Sequence, residues 1–379
     1  MKNIYVITNS SLNNTISNLL WIRRITPNNA LFIILNFENY KYEELLYLKK
    51  IYEKSIIKNN FFLINVSTTL KKLFFYPALY ITLLYSKLNI ILLKERFFKF
   101  AVVQPRYRWL SERYKVLGQI LPSFKTILIG DGLSGECLRE NPPWLKSNLV
   151  NYSREREEIL LGSYYIYSIY NKNKSNKISE RFSKKELELA LIDINNVISQ
   201  EKKFIKTYFE IKKIKNKFNK IFIFCTSTFW EYDRLCIEGE INLYIKFLIK
   251  LLKKNDYNDQ EDFIIFKYHP KTNPKKIKKL RKEIKAKLNI NSISDGDLEK
   301  RLVELPLEIL LYNLKNKNDI IVSGISTGII GSSYLFKNIN IELGFGEELV
   351  REYFLSDELV DKRLKQEALI SDLIRNEPF

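Results

Sequence analysis

The 379-residue chain has one histidine, one methionine, three cysteines, 12 glycines and 10 prolines, and each scarcity removes a class of protein. A structural zinc site needs four nitrogen or sulfur ligands, which a single histidine and no Cys-x-x-Cys pair do not supply. Cys137, Cys225 and Cys236 build no disulfide framework either, which points to a reducing cytosol. Glycine and proline are too few for a low-complexity chain, and 46% hydrophobic residues with 13% aromatics are too many for a disordered one. Long apolar runs are also missing. The most apolar stretch, Leu73 to Phe100, is broken by Pro77, Lys87 and Lys94 before reaching the ~20 residues of a spanning helix, and reads as core helices with snorkelling lysines. The start, Met1 to Thr8, lacks the long apolar segment of a signal peptide and reads as a buried first strand.

Positive charge is present in excess: 62 Lys and Arg stand against 43 Asp and Glu, a net of +19. Clusters such as Lys202-Lys203, Lys212-Lys213-Ile214-Lys215 and Lys275-Lys276-Ile277-Lys278-Lys279 read as solvated helix faces. Adhesion to the anionic inner face of a membrane is a second reading. Nucleic acid is a third, but no helix-turn-helix, RRM or zinc-finger pattern occurs and the basic residues are spread along the chain, so it is not expected as a partner.

Short β-rich runs alternate with helix-length segments, the pattern of parallel sheets made from βαβ units. Strands are expected at Asn3–Thr8, Leu31–Asn36, Phe61–Val66, Phe100–Gln104 and Thr126–Gly130, then at Lys220–Cys225, Asp262–Tyr268, Asp319–Ser323 and Asn338–Leu343. Polar Tyr170–Lys185 reads as a linker or exposed loop. The expected fold class is α/β, with two doubly wound, Rossmann-like domains at 1–205 and 206–379 facing a central cleft. The segment from Glu347 onward reads as one or two helices returning over the first domain.

Four constellations carry polar chemistry. In Ile127-Leu128-Ile129-Gly130-Asp131-Gly132 an apolar strand runs into a turn that either presents a carboxylate at a ligand crevice or is an ordinary Asp-Gly turn. Phe263 to Lys271 is a buried strand that ends at His269, with Pro270 halting the ladder and Lys267 and Lys271 alongside. The imidazole there either meets an anionic ligand or bonds locally at a strand end. Asp319 to Gly328 runs from strand through glycine to Ser326 and Thr327 at a helix start, a geometry that serves both capping and phosphate binding. Leu305-Pro306-Leu307-Glu308 starts a helix with one acid in its first turn, where it favours the dipole or accepts ribose hydroxyls. A further hydroxyl-rich loop, Thr226-Ser227-Thr228, follows the strand ending at Cys225.

Taken in order, Asp131-Gly132, His269-Pro270 and Ser326-Thr327 resemble the motif set of bacterial GT-B sialyltransferases. That group includes lipooligosaccharide sialyltransferases and capsular polysialyltransferases, with an acidic Asp/Glu-Asp/Glu-Gly motif, a His-Pro motif and a Ser-Ser/Thr pair. Gly130 stands where the family often has its first acid, which leaves Asp131 alone to carry that role.

The resemblance implies an inverting transfer of sialic acid from CMP-sialic acid to a hydroxyl of a surface glycan, lipooligosaccharide or capsular polysaccharide. It makes residues 1–205 the acceptor-binding domain, with Asp131 as general base, and 206–379 the CMP-sugar-binding domain. His269 would assist the departing phosphate, Ser326 and Thr327 would hold it, and Glu308 would take the ribose. Lys267, Pro270, Thr226 and Ser227 would line the donor site. No metal or other cofactor is expected: the tight pair Asp295-Gly296-Asp297 reads as a helix cap, and the leaving phosphate is offset by His269, hydroxyls and a helix dipole. Expected partners are the nucleotide-sugar donor and a glycan or glycolipid acceptor, in the cytoplasm, with peripheral contact at the inner membrane face. Two competing functions remain: a GT-B transferase using another nucleotide sugar such as CMP-Kdo, and a non-enzymatic basic protein that binds nucleic acid or membrane.

Overall fold

The computed structural model of the chain describes residues 3–9, 12–24, 30–36, 42–56, 61–65, 100–105, 125–129, 155–159, 166–171, 177–181, 183–288, 290–315, 319–324, 326–336 and 339–375. The chain divides into two compact units, Met1–Glu201 and Lys202–Phe379.

In the first unit eight strands form one sheet in the order β3-β2-β1-β4-β5-β6-β7-β8. Strands β1 (Asn3–Asn9), β2 (Ala30–Asn36), β3 (Phe61–Asn65), β4 (Phe100–Pro105), β5 (Lys125–Ile129) and β6 (Glu155–Ile159) are parallel. β7 (Ile166–Asn171) and β8 (Lys177–Arg181) extend the sheet antiparallel. The chain therefore starts mid-sheet, winds outward to β3 and returns past β1 to β4, which is doubly wound topology. Helices α1 (Leu12–Arg24), α2 (Tyr42–Ser55) and α3 (Lys184–Ile198) pack on one another. Their apolar residues recur three and four apart, so Ile16, Leu19 and Leu20 meet Leu48 and Ile51, and Leu187, Leu191 and Ile194, in one buried layer. Asp193 ties the three together, accepting from Arg23 at 2.6 Å and from Ser55 Oγ at 2.9 Å. Ser183 opens α3 with a capping box: its Oγ accepts the Glu186 N–H at 3.2 Å, and the Glu186 carboxylate accepts the Ser183 N–H at 2.7 Å.

The second unit holds a four-stranded parallel sheet in the order β10-β9-β11-β12, formed by β9 (Lys220–Cys225), β10 (Phe263–Lys267), β11 (Asp319–Gly324) and β12 (Ile339–Leu343). Ile221 to Phe224, Ile264 to Phe266 and Ile320 to Val322 are buried, because helices cover both faces of a parallel sheet and every side chain needs an apolar environment. The helices are α4 (Lys202–Lys217), α5 (Ile237–Lys254), α6 (Pro274–Leu288), α7 (Gly296–Leu302), α8 (Leu307–Leu314), α9 (Thr327–Leu335), α10 (Glu347–Tyr353) and α11 (Asp357–Arg375). Phe224 anchors the core with Tyr244, Phe247 and Phe266 at centroid distances of 5.4, 5.8 and 5.3 Å. Cys236 caps α5, its Sγ accepting the Gly239 N–H at 3.2 Å. Asp295 caps α7, accepting the Leu298 N–H at 2.7 Å, which gives the Asp295–Asp297 pair its structural role. The segment from Glu347 forms α10 and α11. They pack on each other and on α5, α9 and β12 of their own unit.

All nine expected strands are present, with ends displaced by no more than one residue. The expectation of a loop at Tyr170–Lys185 is corrected: the segment holds the end of β7, all of β8 and the first two residues of α3. β6 was not expected either. Its sequence, Glu-Arg-Glu-Glu-Ile, favours helix locally, and only pairing with β5 and β7 makes it a strand. The solvated-face reading is corrected at Lys276, whose side chain is 1% exposed. Among the described residues no helix is long and apolar enough to cross a membrane.

Candidate active site

Chain order in the second sheet determines where a ligand is received. β9 lies at the centre, the chain moves to β10 on one side, and then crosses to β11 on the other. The switch falls between β9 and β11, and in open α/β sheets such a point leaves a crevice beyond the carboxyl ends of the strands. Thr226-Ser227 after β9 and Gly324 and Ser326 at the end of β11 stand there, with Tyr268-His269-Pro270 after β10 on the other side of β9.

Gly324 makes the β11 turn. Its φ is +101°, and a Cβ at this position would lie 2.1 Å from the Cys225 carbonyl oxygen. Only glycine allows the β11 backbone to close on β9 and then turn into α9. Ser326 caps α9, its Oγ accepting the Gly328 N–H at 3.3 Å, and Thr327 is the first helical residue. Glu308, in the first turn of α8, is 1% exposed and packs against that helix start: its Oε1 would be 3.2 Å from a Cβ on Gly328. The helix start, with its outward-facing N–H groups, and the buried carboxylate thus share one end of the sheet.

Lys267, the last residue of β10, donates from Nζ to the Val303 carbonyl at 3.3 Å. Burial, partly offset by Cys225 and Glu308, pulls its pKa down to about 8. The same burial pushes the Cys225 thiol up to about 12, so it is no nucleophile. Thr226 is buried, its N–H donates to the Lys267 carbonyl at 3.1 Å, and its Oγ1 makes no hydrogen bond with the described residues. A buried hydroxyl at a strand end in that condition is one a ligand can satisfy. Ser227 donates its N–H to Tyr244 Oη at 2.8 Å.

His269 keeps one edge open to solvent. Its Nδ1 accepts the Lys271 N–H at 3.1 Å and its carbonyl accepts the Thr272 N–H at 2.9 Å, so the turn locks the ring. With Nδ1 committed as acceptor, the neutral ring carries its proton on Nε2. Desolvation by the surrounding protein, followed by Lys271 and Lys267, pulls the pKa down to about 4. Solvent at the open edge competes with that desolvation, so the direction is what matters: at pH 7 the ring is a neutral Nε2–H donor. Pro270 is exposed just beyond.

Of the residues expected at the site, Lys267, His269, Pro270, Thr226, Ser227 and Ser326 sit at the strand ends of one sheet, with Glu308 of α8 packed against the start of α9. Thr327 is placed by its backbone at the same helix start. Asp131 lies outside the described residues, just past the end of β5 at Ile129. Sequence reasoning missed Glu231, Glu240 and Lys276, which form a buried ion cluster behind the β9 loop. Lys276 was hidden in a run of lysines. The signal available was its spacing from Leu280 and Ile284, which puts it on the inward stripe of α6.

Two Rossmann-like units, the second with a helix start at its switch point, have the architecture of the GT-B class. Residues 3–344 match the model of the alpha-2,8-polysialyltransferase family, and the chain belongs to that family. It is accordingly an enzyme that moves sialic acid from CMP-sialic acid to a glycan. No curated protein matches the sequence. Among solved structures, the UDP-GlcNAc 2-epimerase from Neisseria meningitidis bound to UDP-GlcNAc is 12% identical with a TM-score of 0.46, covering 99% of this chain and 100% of its own. The sialyltransferase from Photobacterium damsela is 9% identical with a TM-score of 0.44, over 96% of this chain and 79% of its own. A glycosyltransferase from Rickettsia africae is 13% identical with a TM-score of 0.43, over 99% and 94%. At these values the assignment rests on the family match.

Proposed function

We propose that the transfer is inverting, onto a hydroxyl of a surface glycan, and that the β9–β11 switch point receives CMP. The observation that carries this is the shared position of the α9 start, capped by Ser326, and the buried Glu308 carboxylate packed against Gly328. One group suits an anionic phosphate and the other suits ribose hydroxyls. Ser326 and Thr327 hold the phosphate at the positive end of the α9 dipole. His269 donates its Nε2–H to a phosphate oxygen as the bond to the anomeric carbon breaks and negative charge collects there. Lys267 and the Thr226 hydroxyl line the nucleotide side, with Ser227 and Pro270 shaping the loops around it. Asp131 removes the proton of the attacking acceptor hydroxyl. The leaving charge is met by hydrogen bonds, a lysine and a helix dipole, so no metal takes part.

The test is a comparison of Asp131→Ala with the parent chain. Thermal stabilisation by CMP, and not by UDP or GDP, is expected to survive the substitution while sialyl transfer is abolished. Loss of both would make Asp131 a structural residue. EDTA is expected to leave the rate unchanged; activity lost with EDTA and restored by magnesium would overturn the metal-free mechanism.

We further propose peripheral contact with the anionic inner face of the membrane, where glycolipid acceptors are made. Helix α4 supports this. Ile205 and Phe209, one turn apart, are 53% and 69% exposed, and exposed Lys202, Lys206, Lys212 and Lys213 flank them. Apolar side chains set among lysines suit insertion at an anionic surface. Phe209→Ser is expected to reduce sedimentation with vesicles rich in anionic lipid while leaving transfer to a soluble acceptor unchanged. Unchanged sedimentation would remove α4 as the contact.

A further inference from the structure

The cluster of Glu231, Glu240 and Lys276 has no contact with CMP in the mechanism above, yet it is bonded to the Ser227 backbone of the loop that lines the donor site. Lys276 Nζ donates to Glu231 Oε2 at 2.7 Å, to Glu240 Oε1 at 2.8 Å and to the Ser227 carbonyl at 3.1 Å. Glu240, 0% exposed on α5, also accepts from Tyr244 Oη at 2.5 Å and from the Trp230 N–H at 2.7 Å. The other oxygen of Glu231 accepts the Asn273 N–H at 2.7 Å. The consequence is a bridge. Glu231 and Lys276 join the β9–α5 loop, which carries Thr226 and Ser227, to the His269–Asn273 turn.

A buried ion cluster is a poor route to stability, since well-packed apolar residues in its place are often as good or better. What apolar residues would not reproduce is a fixed spacing between two loops through directional, charged hydrogen bonds. Both loops leave the carboxyl ends of adjacent strands; in the mechanism above one carries His269 to the phosphate and the other carries Thr226 to the nucleotide side. We propose that Glu231 and Lys276 are positioning residues of sialyl transfer: they hold the His269 turn in register with the Thr226–Ser227 loop on the nucleotide side, and so aim His269 at the departing phosphate. The proposal rests on His269 acting at that phosphate.

The experiment uses the full chain without a polyhistidine tag, so that His269 is the sole imidazole in the sample. Transfer kinetics, CMP affinity by calorimetry, the unfolding temperature and the His269 C2–H resonance are measured. Glu231→Ala is expected to lower kcat by about tenfold to a hundredfold, the loss typical of misplacing a reacting group by about an ångström, with CMP affinity changed less. Combined with His269→Ala, it is expected to add little further loss, because groups acting through one another are not additive. Lys276→Arg is expected to keep most of the activity. Glu231→Gln, which retains an oxygen for the Asn273 N–H, keeps the test open should the alanine variant not fold. It is expected to lower the His269 titration, because Glu231 raises that pKa whereas Lys271, Lys267 and Lys276 lower it. A lower unfolding temperature with unchanged kcat, or an equal loss of kcat with and without His269, would overturn the proposal. Full activity of His269→Ala alone would instead overturn the assignment of His269, so the two failures are distinguishable.

Discussion

His269→Ala is expected to reduce sialyl transfer by roughly a hundredfold to a thousandfold, the usual cost of removing one hydrogen-bond donor aimed at developing negative charge, with the second unit still folded. The ring stands at a strand end with one edge open and buries little that packing depends on. Its Nδ1 is occupied by the Lys271 N–H, so the group lost is the Nε2–H aimed away from that turn. Retained full activity would remove His269 from the reaction. The same residue gives a test of sign. Its pKa in the fold, about 4, lies below the ordinary 6.5, so between those values the folded chain binds fewer protons than the unfolded one. The ring's contribution to stability is therefore complete above about pH 6.5 and is lost as pH falls toward 4. Transfer should show no inflection from His269 near pH 6.5, and its C2–H resonance should titrate well below that pH.

Gly324→Ala is expected to destabilise the second unit by about 3–5 kcal/mol, the upper range for a single substitution. Two causes act together. The φ of +101° disfavours any side chain, and the new Cβ would meet the Cys225 carbonyl oxygen at 2.1 Å. That oxygen belongs to β9, paired with β11 at this very position, so it has no room to withdraw without opening the ladder. Gly346→Ala separates the two causes. Gly346 has φ +82° and ψ 157°, a region nearly confined to glycine, with nothing within 4 Å of its Cβ position, and the cost there should be only the ~1–3 kcal/mol of that backbone. Urea unfolding of the two variants, read on the second unit, compares them. Equal losses would mean that the contact with Cys225 relaxes freely.

How much of this was legible follows from what each residue's environment depends on. The nine expected strands are β-branched or aromatic runs bounded by turns, and their local signal agrees with the sheet they join. β6, with four charged residues in five, becomes a strand only through its neighbours in the sheet, which no window along the chain contains. The site divides the same way. His269, Ser326 and Glu308 lie where a strand ends or a helix begins, and those boundaries are written in nearby proline, glycine and hydroxyl residues. The ion cluster joins Glu231, Glu240 and Lys276 from three segments, and apart from the spacing of Lys276 from Leu280 and Ile284 nothing along the chain announces that they meet.

The cap on α5 bears on how experiments with thiol reagents are interpreted. Cys236 is exposed, its sulfur accepts the Gly239 N–H, and it stands four residues ahead of Glu240 on the same helix. Alkylation there removes the cap and loosens the helix turn from which Glu240 reaches Lys276 and Tyr244. Inhibition by a maleimide attached at Cys236 would then reflect the fraying of a helix, and would say nothing for a covalent sialyl-cysteine intermediate.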